Sequence, residues 1–241
     1  MARIVCISDT HMEMSKIKDL IPEGDILIHA GDLTYNGKAG EIKKELGIIN
    51  SLDFDRKIII PGNHDFLFQN NPSKARRIVK HINSIQFGAP IDVLEEEFYK
   101  IYLPKSKGRL EDEKYSLYAQ VWMPNFFDWA FMLPRNGPEL EEKVKNIPKD
   151  IDILVTHGPA WGYLDRNSKG ENCGCEILAQ YLEEGKIKPR LHVFGHIHES
   201  RGVIQRNGTI FVNAAMHGPK GQIQKPIVID ITKDKIEVVD Y

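Results

Sequence analysis

Ile59-Ile60-Pro61-Gly62-Asn63-His64-Asp65 is the stretch on which the reading of the whole chain turns. With Ile58 before it, the apolar run is the end of a buried strand. Pro61-Gly62 stops that strand, because proline carries no ladder donor and glycine admits a sharp turn. An amide, an imidazole and a carboxylate then follow side by side in Asn63, His64 and Asp65. Ligands of open α/β sheets collect at strand ends. An amide oxygen can hold a metal, an imidazole can pass a proton, and a carboxylate can orient that imidazole. The stretch therefore reads as a phosphate-handling metal site, provided that other strands end the same way.

Working outward, they do. Residues 3–7 form a first apolar run that ends at Ser8-Asp9-Thr10-His11, and residues 25–30 form a second that closes on Gly31-Asp32. Helical spacing is expected over 12–21 and 40–52, so strand, helix and strand alternate. That order is the signature of βαβ units and a parallel sheet. Downstream, a helix is expected over 72–84, and a pair of strands, 93–94 and 98–103, around the acidic turn 95–97. Residues 104–116 are polar and aperiodic, which suggests a surface insertion or a lid. The aromatic stretch 118–133 holds Trp122, Phe126 and Phe127, which line either a core or a cleft. A helix over 139–147 leads to the strand 151–155, which ends at Thr156-His157-Gly158. A helix over 174–185 leads to the strand 190–194, which stops at Gly195-His196-Ile197-His198. The runs 202–205, 209–213, 226–231 and 235–239 alternate in the β manner and predict an antiparallel C-terminal set. No repeat or Pro/Gly/Ser-rich linker divides the chain, so 1–241 is expected to be a single domain.

Bulk composition narrows the classes. The 241 residues are 41% hydrophobic and 27% charged, as in ordinary globular proteins. A net charge of −2 argues against a nucleic-acid or membrane surface, although bound cations would still allow an anionic substrate. No run approaches the ~18 apolar residues of a membrane span. Three cysteines, two of them in Cys173-Gly174-Cys175, make no disulfide framework and fit a reducing, cytoplasmic setting.

The strand ends together supply Asp9, His11, Asp32, Asn63, His157, His196 and His198. In extended chain, residues i and i+2 face the same way, so Asp9 with His11, and His196 with His198, can each aim two donors in one direction. Imidazole, carboxylate and amide without thiolate suit Mn²⁺, Fe²⁺ or Zn²⁺, alone or mixed. Seven donors are too many for one ion and suffice for two that share a bridge, for which Asp32 has two oxygens. Two such ions clamp the attacking and departing oxygens of an in-line displacement and make hydroxide available near neutral pH. His64 is then spare, in place to give a proton to a departing alkoxide. Asp65 either supports His64 catalytically, holding its tautomer or stabilising its cation, or merely caps the following turn.

In sequence order, Asp9-Thr10-His11, Gly31-Asp32, Gly62-Asn63-His64-Asp65, Thr156-His157-Gly158 and Gly195-His196-Ile197-His198 resemble the ordered blocks of the metallophosphoesterase (calcineurin-like phosphoesterase) superfamily. Gly62 to Phe66, the Trp122-Met123-Pro124 to Trp129-Ala130-Phe131 stretch and His192 to Glu199 resemble the branch of metallophosphoesterase-domain proteins similar to class III cyclic-nucleotide phosphodiesterases. The resemblance implies a four-layer α/β/β/α sandwich with two mixed central sheets. It implies Asp9, His11, Asp32 and His198 around one ion, Asp32, Asn63, His157 and His196 around the other, and His64 as proton donor. Met12 departs from the small glycine that many relatives carry after Asp-x-His, and 104–116 looks inserted. The expected activity is hydrolysis of a small phosphodiester, such as a nucleotide, with Mn²⁺ the favoured ion. The alternatives are a phosphomonoesterase and a catalytically silent scaffold of the same fold.

Overall fold

The computed structural model describes residues 1–85, 88–105, 111–218 and 220–239. The alternation of strand and helix builds its first half. β1 (Ala2–Ile7), β2 (Ile26–His29), β3 (Arg56–Ile59) and β4 (Ile91–Val93) lie side by side in that order, all parallel. Every residue of β2 is buried, as a parallel sheet covered on both faces requires. α1 (Met14–Ile17), α2 (Ala39–Asn50), α3 (Phe66–Asn70) and α4 (Pro72–Ser84) occupy the crossovers. α2 turns Ile42, Leu46 and Ile49 inward at helical period. α4 begins at Pro72, with the Asn71 side chain accepting from the Lys74 N–H, so its start carries both a helix-compatible φ and a cap.

A second sheet contains β5 (Glu96–Leu103), β6 (Glu113–Gln120), β9 (Asp150–Thr156), β10 (Lys188–Phe194), β11 (Gly202–Arg206) and β12 (Thr209–Asn213), in the order β11-β12-β10-β9-β6-β5. Its four middle strands are parallel and its two edges antiparallel. The two-residue strands β7 (Met123–Pro124) and β8 (Met132–Leu133) pair with each other, and α5 (Pro138–Lys145) and α6 (Glu176–Glu183) follow them. β13 (Ile227–Ile231) and β14 (Ile236–Val239) return to the first sheet, with β13 antiparallel to β1.

Side-chain parity fixes the layering. In β9, Ile153 and Val155 join the core shared with the first sheet, whereas Leu154 between them packs with Leu140, Val144 and Leu178 of α5 and α6. β10 divides in the same way, Leu191 and Val193 to one side and Phe194 to the other. Two mixed sheets thus lie face to face with helices outside each, the expected α/β/β/α order.

Four local expectations change. The C-terminal strands are two hairpins in different sheets, not one set, because alternation specifies a half-buried strand and not its partner. β4 and β5 likewise belong to different sheets, and Glu96 and Glu97 start a strand rather than fill a turn. The helix expected over 12–21 is one α-turn followed by a 3₁₀ turn at Lys18–Leu20, since Ile21 before Pro22 is extended. Glu113 to Ser116 lie in β6, so the expected insertion or lid over 104–116 rests mainly on 106–110, outside the described residues. Its flanks, Leu103 and Glu113, pair with each other seven residues along β6 from Gln120, roughly 23 Å at strand rise. Among the described residues, no helix is long and apolar enough to cross a membrane.

Candidate metal centre

The C-terminal ends of β1, β2, β3, β9 and β10 meet between the two sheets. The loops after β1 and β2 run hydrogen-bonded together, Asp9 N–H to Gly31 O at 2.8 Å, His11 N–H to Asp32 O at 3.1 Å and Met12 N–H to Leu33 O at 3.1 Å. The second sheet docks on them through His157 Nδ1, 2.8 Å from Ala30 O, and through the His196 N–H, which donates to both oxygens of Asp9 at 3.0 and 3.1 Å. Turning side chains inward here forces the left-handed backbone region on Asp9, His11, Asp32 and His196, with φ of 53°, 40°, 56° and 68°. Such conformations cost about 1–3 kcal/mol each and persist where the surroundings enforce them.

All seven expected donors and His64 are brought together. Three groups of ligand atoms lie within 4.8 Å of one another: Asp9, His11 and His198; His11, Asp32 and His64; and Asp32, His157 and His196. Asn63 Oδ1 is 3.0 Å from His157 Nε2. Asp32 stands in the middle. Its Oδ1 accepts from the His64 N–H at 2.8 Å, which leaves Oδ2 facing the Nε2 atoms of His157 at 3.3 Å and of His11 and His64 at 3.9 Å. Asp9 Oδ1 lies 3.3 Å from His198 Nε2. Carbonyls anchor the far nitrogens: Thr34 O is 3.2 Å from His11 Nδ1, and Tyr35 O is 2.8 Å from His64 Nδ1. With Nδ1 occupied by a carbonyl, each Nε2 is the atom offered to the centre.

Charge and space both suit divalent cations. Burial alone would raise the Asp32 carboxyl, but His157 and His11 outweigh it and hold it at about 2; His198 and its neighbours likewise hold Asp9 well below the usual carboxylate range. Burial pushes His196 down to about 3, so it is a neutral donor. Two ionised, buried carboxylates thus have imidazoles and backbone amides for partners, a donor set that fits Mn²⁺, Fe²⁺ or Zn²⁺ without thiolate. Two glycines make room for it. A Cβ on Gly62 would sit on the Asp32 carboxylate, and one on Gly195 would sit on that of Asp9.

Asp65 neither holds the His64 tautomer nor caps the following turn. Its oxygens accept from the N–H groups of Leu33, Thr34 and Gly62 and from Thr34 Oγ1, at 3.2, 3.0, 2.9 and 2.8 Å. It staples the loop after β2 to the loop after β3. Its side chain caps no helix, and the His64 tautomer is held by Tyr35 O instead. Asn213 is likewise structural, with its amide donating to Ile197 O and Leu164 O. Of the aromatics, Trp122 packs edge-on against Phe131 in the core, Phe126 is half exposed 5.3 Å from the His196 ring, and Phe127 is the most exposed at 70%. Of three further participants, Tyr35 and Trp161 escape sequence reasoning, and Trp129 is seen there only as part of the aromatic stretch. Trp129 packs on His64 with ring centroids 4.2 Å apart, Tyr35 stacks on His11, and Trp161 shares with Phe126 the wall of a cavity of about 650 Å³ beside His196. Only the density of aromatics near 122–131 hinted at the first.

Two buried histidines brace the site from behind. His29 Nε2 is 2.9 Å from Thr10 Oγ1, and His192 Nε2 is 2.9 Å from Thr156 Oγ1. Each threonine adjoins a donor in sequence, Thr10 between Asp9 and His11 and Thr156 before His157.

The family model for calcineurin-like phosphoesterases matches residues 2–200, which contain every one of these donors. The chain belongs to that family. Metallophosphoesterase domain-containing protein 1 of Homo sapiens is 37% identical to it over 95% of this chain and 71% of that protein. A UPF0046 protein of Caenorhabditis elegans is 35% identical over 95% of this chain and 80% of its own length. Among solved structures, TT1561 of Thermus thermophilus shares the fold with a TM-score of 0.60 at 13% identity, covering 99% of this chain and 98% of that one. The 5'-nucleotidase of Candida albicans reaches 0.52 at 14% identity, over 97% of this chain and 47% of that one. Calcineurin-like membership and the Asp/His clusters together support a metal-dependent phosphoesterase.

Proposed function

We propose that this chain, as one catalytic domain, hydrolyses a phosphodiester with two divalent ions, Mn²⁺ foremost. Asp9, His11, Asp32 and His198 hold one ion, and Asp32, Asn63, His157 and His196 hold the other. When bound, the ions supply Lewis-acid charge to the phosphoryl oxygens and an acidified water. The protein's own contribution centres on His64. Its Nε2 faces the shared Asp32 oxygen at 3.9 Å while Tyr35 O fixes Nδ1, and this observation carries the reading. As an imidazolium, His64 gives its Nε2 proton to the departing ester oxygen and is left as the Nδ1–H tautomer that the Tyr35 carbonyl favours. Trp129 against the ring keeps it from swinging out.

A diester is favoured over a monoester by charge. Arg135 is the one cation among the described residues lining the cavity beside His196, and it is tied to Glu176 and to the carbonyls of Cys173 and Gly174. A dianionic monoester would want a further free cation, whereas a singly charged diester needs only the two ions. The same cavity has room for an organic substituent, and Phe126 and Trp161, 50% and 41% exposed, offer faces on which a nucleobase can stack. We therefore favour a small, nucleotide-type diester.

The test is elemental analysis of protein purified without chelator, followed by turnover of matched diesters and monoesters with added Mn²⁺. Two ions per chain and a higher kcat/KM for the diesters are expected. Fewer than two ions and no turnover would favour a silent scaffold, and a higher kcat/KM for monoesters would reverse the substrate assignment.

A further inference from the structure

His217 lies outside the proposed ligand set, yet its ring is set against two members of it. The segment that carries it leaves the end of β12 and crosses between the sheets. Ala214 N–H donates to Phe194 O at the end of β10, and Met216 N–H donates to Ser8 O at the end of β1. Ser8 and Ala215 form a parallel bridge, and His217 itself bridges Ile223. These few residues therefore tie together the two strand ends whose loops present Asp9 and His11 on one side and His196 and His198 on the other. At the end of this strap, the His217 ring lies 5.9 Å from that of His11 and 6.1 Å from that of His198, nearly parallel to the second at 28°.

The residue is over nine-tenths buried, and its Nε2 has no hydrogen-bond partner among the described residues, of which Glu13 Oε2 is the nearest acid at 3.8 Å. His198 has particular need of support. Its side chain is 30% exposed, and its ring nitrogens have no carbonyl anchor of the kind that orients His11 and His157 among the described contacts.

We propose that His217 is a positioning residue for one metal ion. Its ring wedges the His11 and His198 imidazoles into the spacing that the ion shared by Asp9, Asp32, His11 and His198 requires, and it leaves the Asn63/His157/His196 side untouched. This inference rests on the ligand division proposed above. The wedge acts by shape and position. Removing an outer-shell hydrogen-bond partner that orients a metal-bound imidazole typically costs 10–100-fold in metal affinity, and a packed ring that orients two of them is expected to act within that range.

The test measures Mn²⁺ binding by titration calorimetry and by the spin-coupled EPR signal of an ion pair, in the wild type, His217→Ala and His217→Phe, each checked for unchanged melting in chelator. Wild type should bind two ions. His217→Ala should weaken one of them about 10–100-fold and lose the coupled signal at the Mn²⁺ concentration that fills the wild type. His217→Phe, which keeps a ring of similar thickness, should return the weakened affinity to within a few-fold. In an Asn63→Ala background, where the other ion is impaired, adding His217→Ala should weaken the remaining site by the same 10–100-fold. Two full-affinity ions in His217→Ala, or equal weakening of both, would overturn the wedge. A Phe variant as weak as Ala would also overturn it and point to a direct polar role. Fewer than two ions in the wild type would instead defeat the ligand reading on which the inference stands.

Discussion

His64 is held by one ring nitrogen and offers the other, an arrangement it shares with His11 and His157, so its proposed role as a proton donor and not a ligand rests on what its removal does. His64→Ala is expected to keep two ions per chain and to lower kcat on diesters with alkoxide leaving groups by ~10²–10⁴. Diesters that release p-nitrophenolate, which departs without protonation, should lose much less. Elemental analysis with steady-state kinetics on both substrates checks this, and loss of an ion in the variant would sink the donor role. Asp65, the next residue, should behave differently because it staples loops and does not touch the His64 ring. Asp65→Ala strands three backbone N–H groups, the Thr34 hydroxyl keeping His64 O as an acceptor at 3.2 Å, so a loss of about 2–4 kcal/mol is expected in urea unfolding. A fall in kcat at unchanged stability would contradict the staple. His192 supplies a pH test. Burial pulls it from 6.5 down to about 3, and its Nδ1 has no partner among the described residues, so the native state resists a proton that the unfolded chain accepts. Between about pH 6.5 and 3 its contribution to stability is therefore lost as pH falls, at up to ~1.4 kcal/mol per unit. Unfolding of the wild type and His192→Gln across that window, with chelator throughout, should show the shallower acid decline in the variant.

At the scale of elements, five strand ends build the centre, and two glycines let carboxylates pass close to neighbouring backbone. Gly195→Ala places a methyl on the Asp9 carboxylate and should cost an ion: metal analysis is expected to show fewer than two per chain, with the far-UV circular dichroism unchanged. Two ions in that variant would mean that the loop after β10 can yield. These strand ends were legible in the sequence because each is an apolar run cut off by Gly or a polar residue and followed at once by Asp, Asn or His. The seven candidate donors and the parallel order of β1 to β3 follow from that repetition, whereas the four layers were implied only by the family resemblance. Sheet membership of the hairpins was not legible, since Val203 and Ile229 both sit in short β-branched runs and only tertiary packing sends one to each sheet. Asp65 misled for a geometric reason. Adjacency to His64 in sequence suggested a bond, but neighbouring side chains point apart, and its real partners lie about thirty residues upstream as well as at Gly62. Trp129, Tyr35 and Trp161 have no periodic or spacing signature at all, and their place at the site emerges only when loops from both sheets converge.

Across the whole molecule, the centre is where two separately built sheets are joined, and the join is strained. Four of the proposed ligands hold left-handed backbone, and both central carboxylates are buried. Cations at this join would bind the folded chain and not the unfolded one, so they stabilise by mass action, by about 2.7 kcal/mol for each ion at a hundred times its Kd. For a chain of this length that corresponds to roughly 5–10 °C in Tm per ion. Calorimetry with saturating Mn²⁺ and with chelator should therefore differ by one or two such steps, according to whether one or two ions bind. Asp32→Ala decides between a shared and a divided centre. Asp32 Oδ2 faces imidazoles of both halves, so its loss should remove both steps together and leave a Tm indifferent to Mn²⁺. A variant that kept one full step would mean that Asp32 serves a single ion and that the two halves of the join load independently.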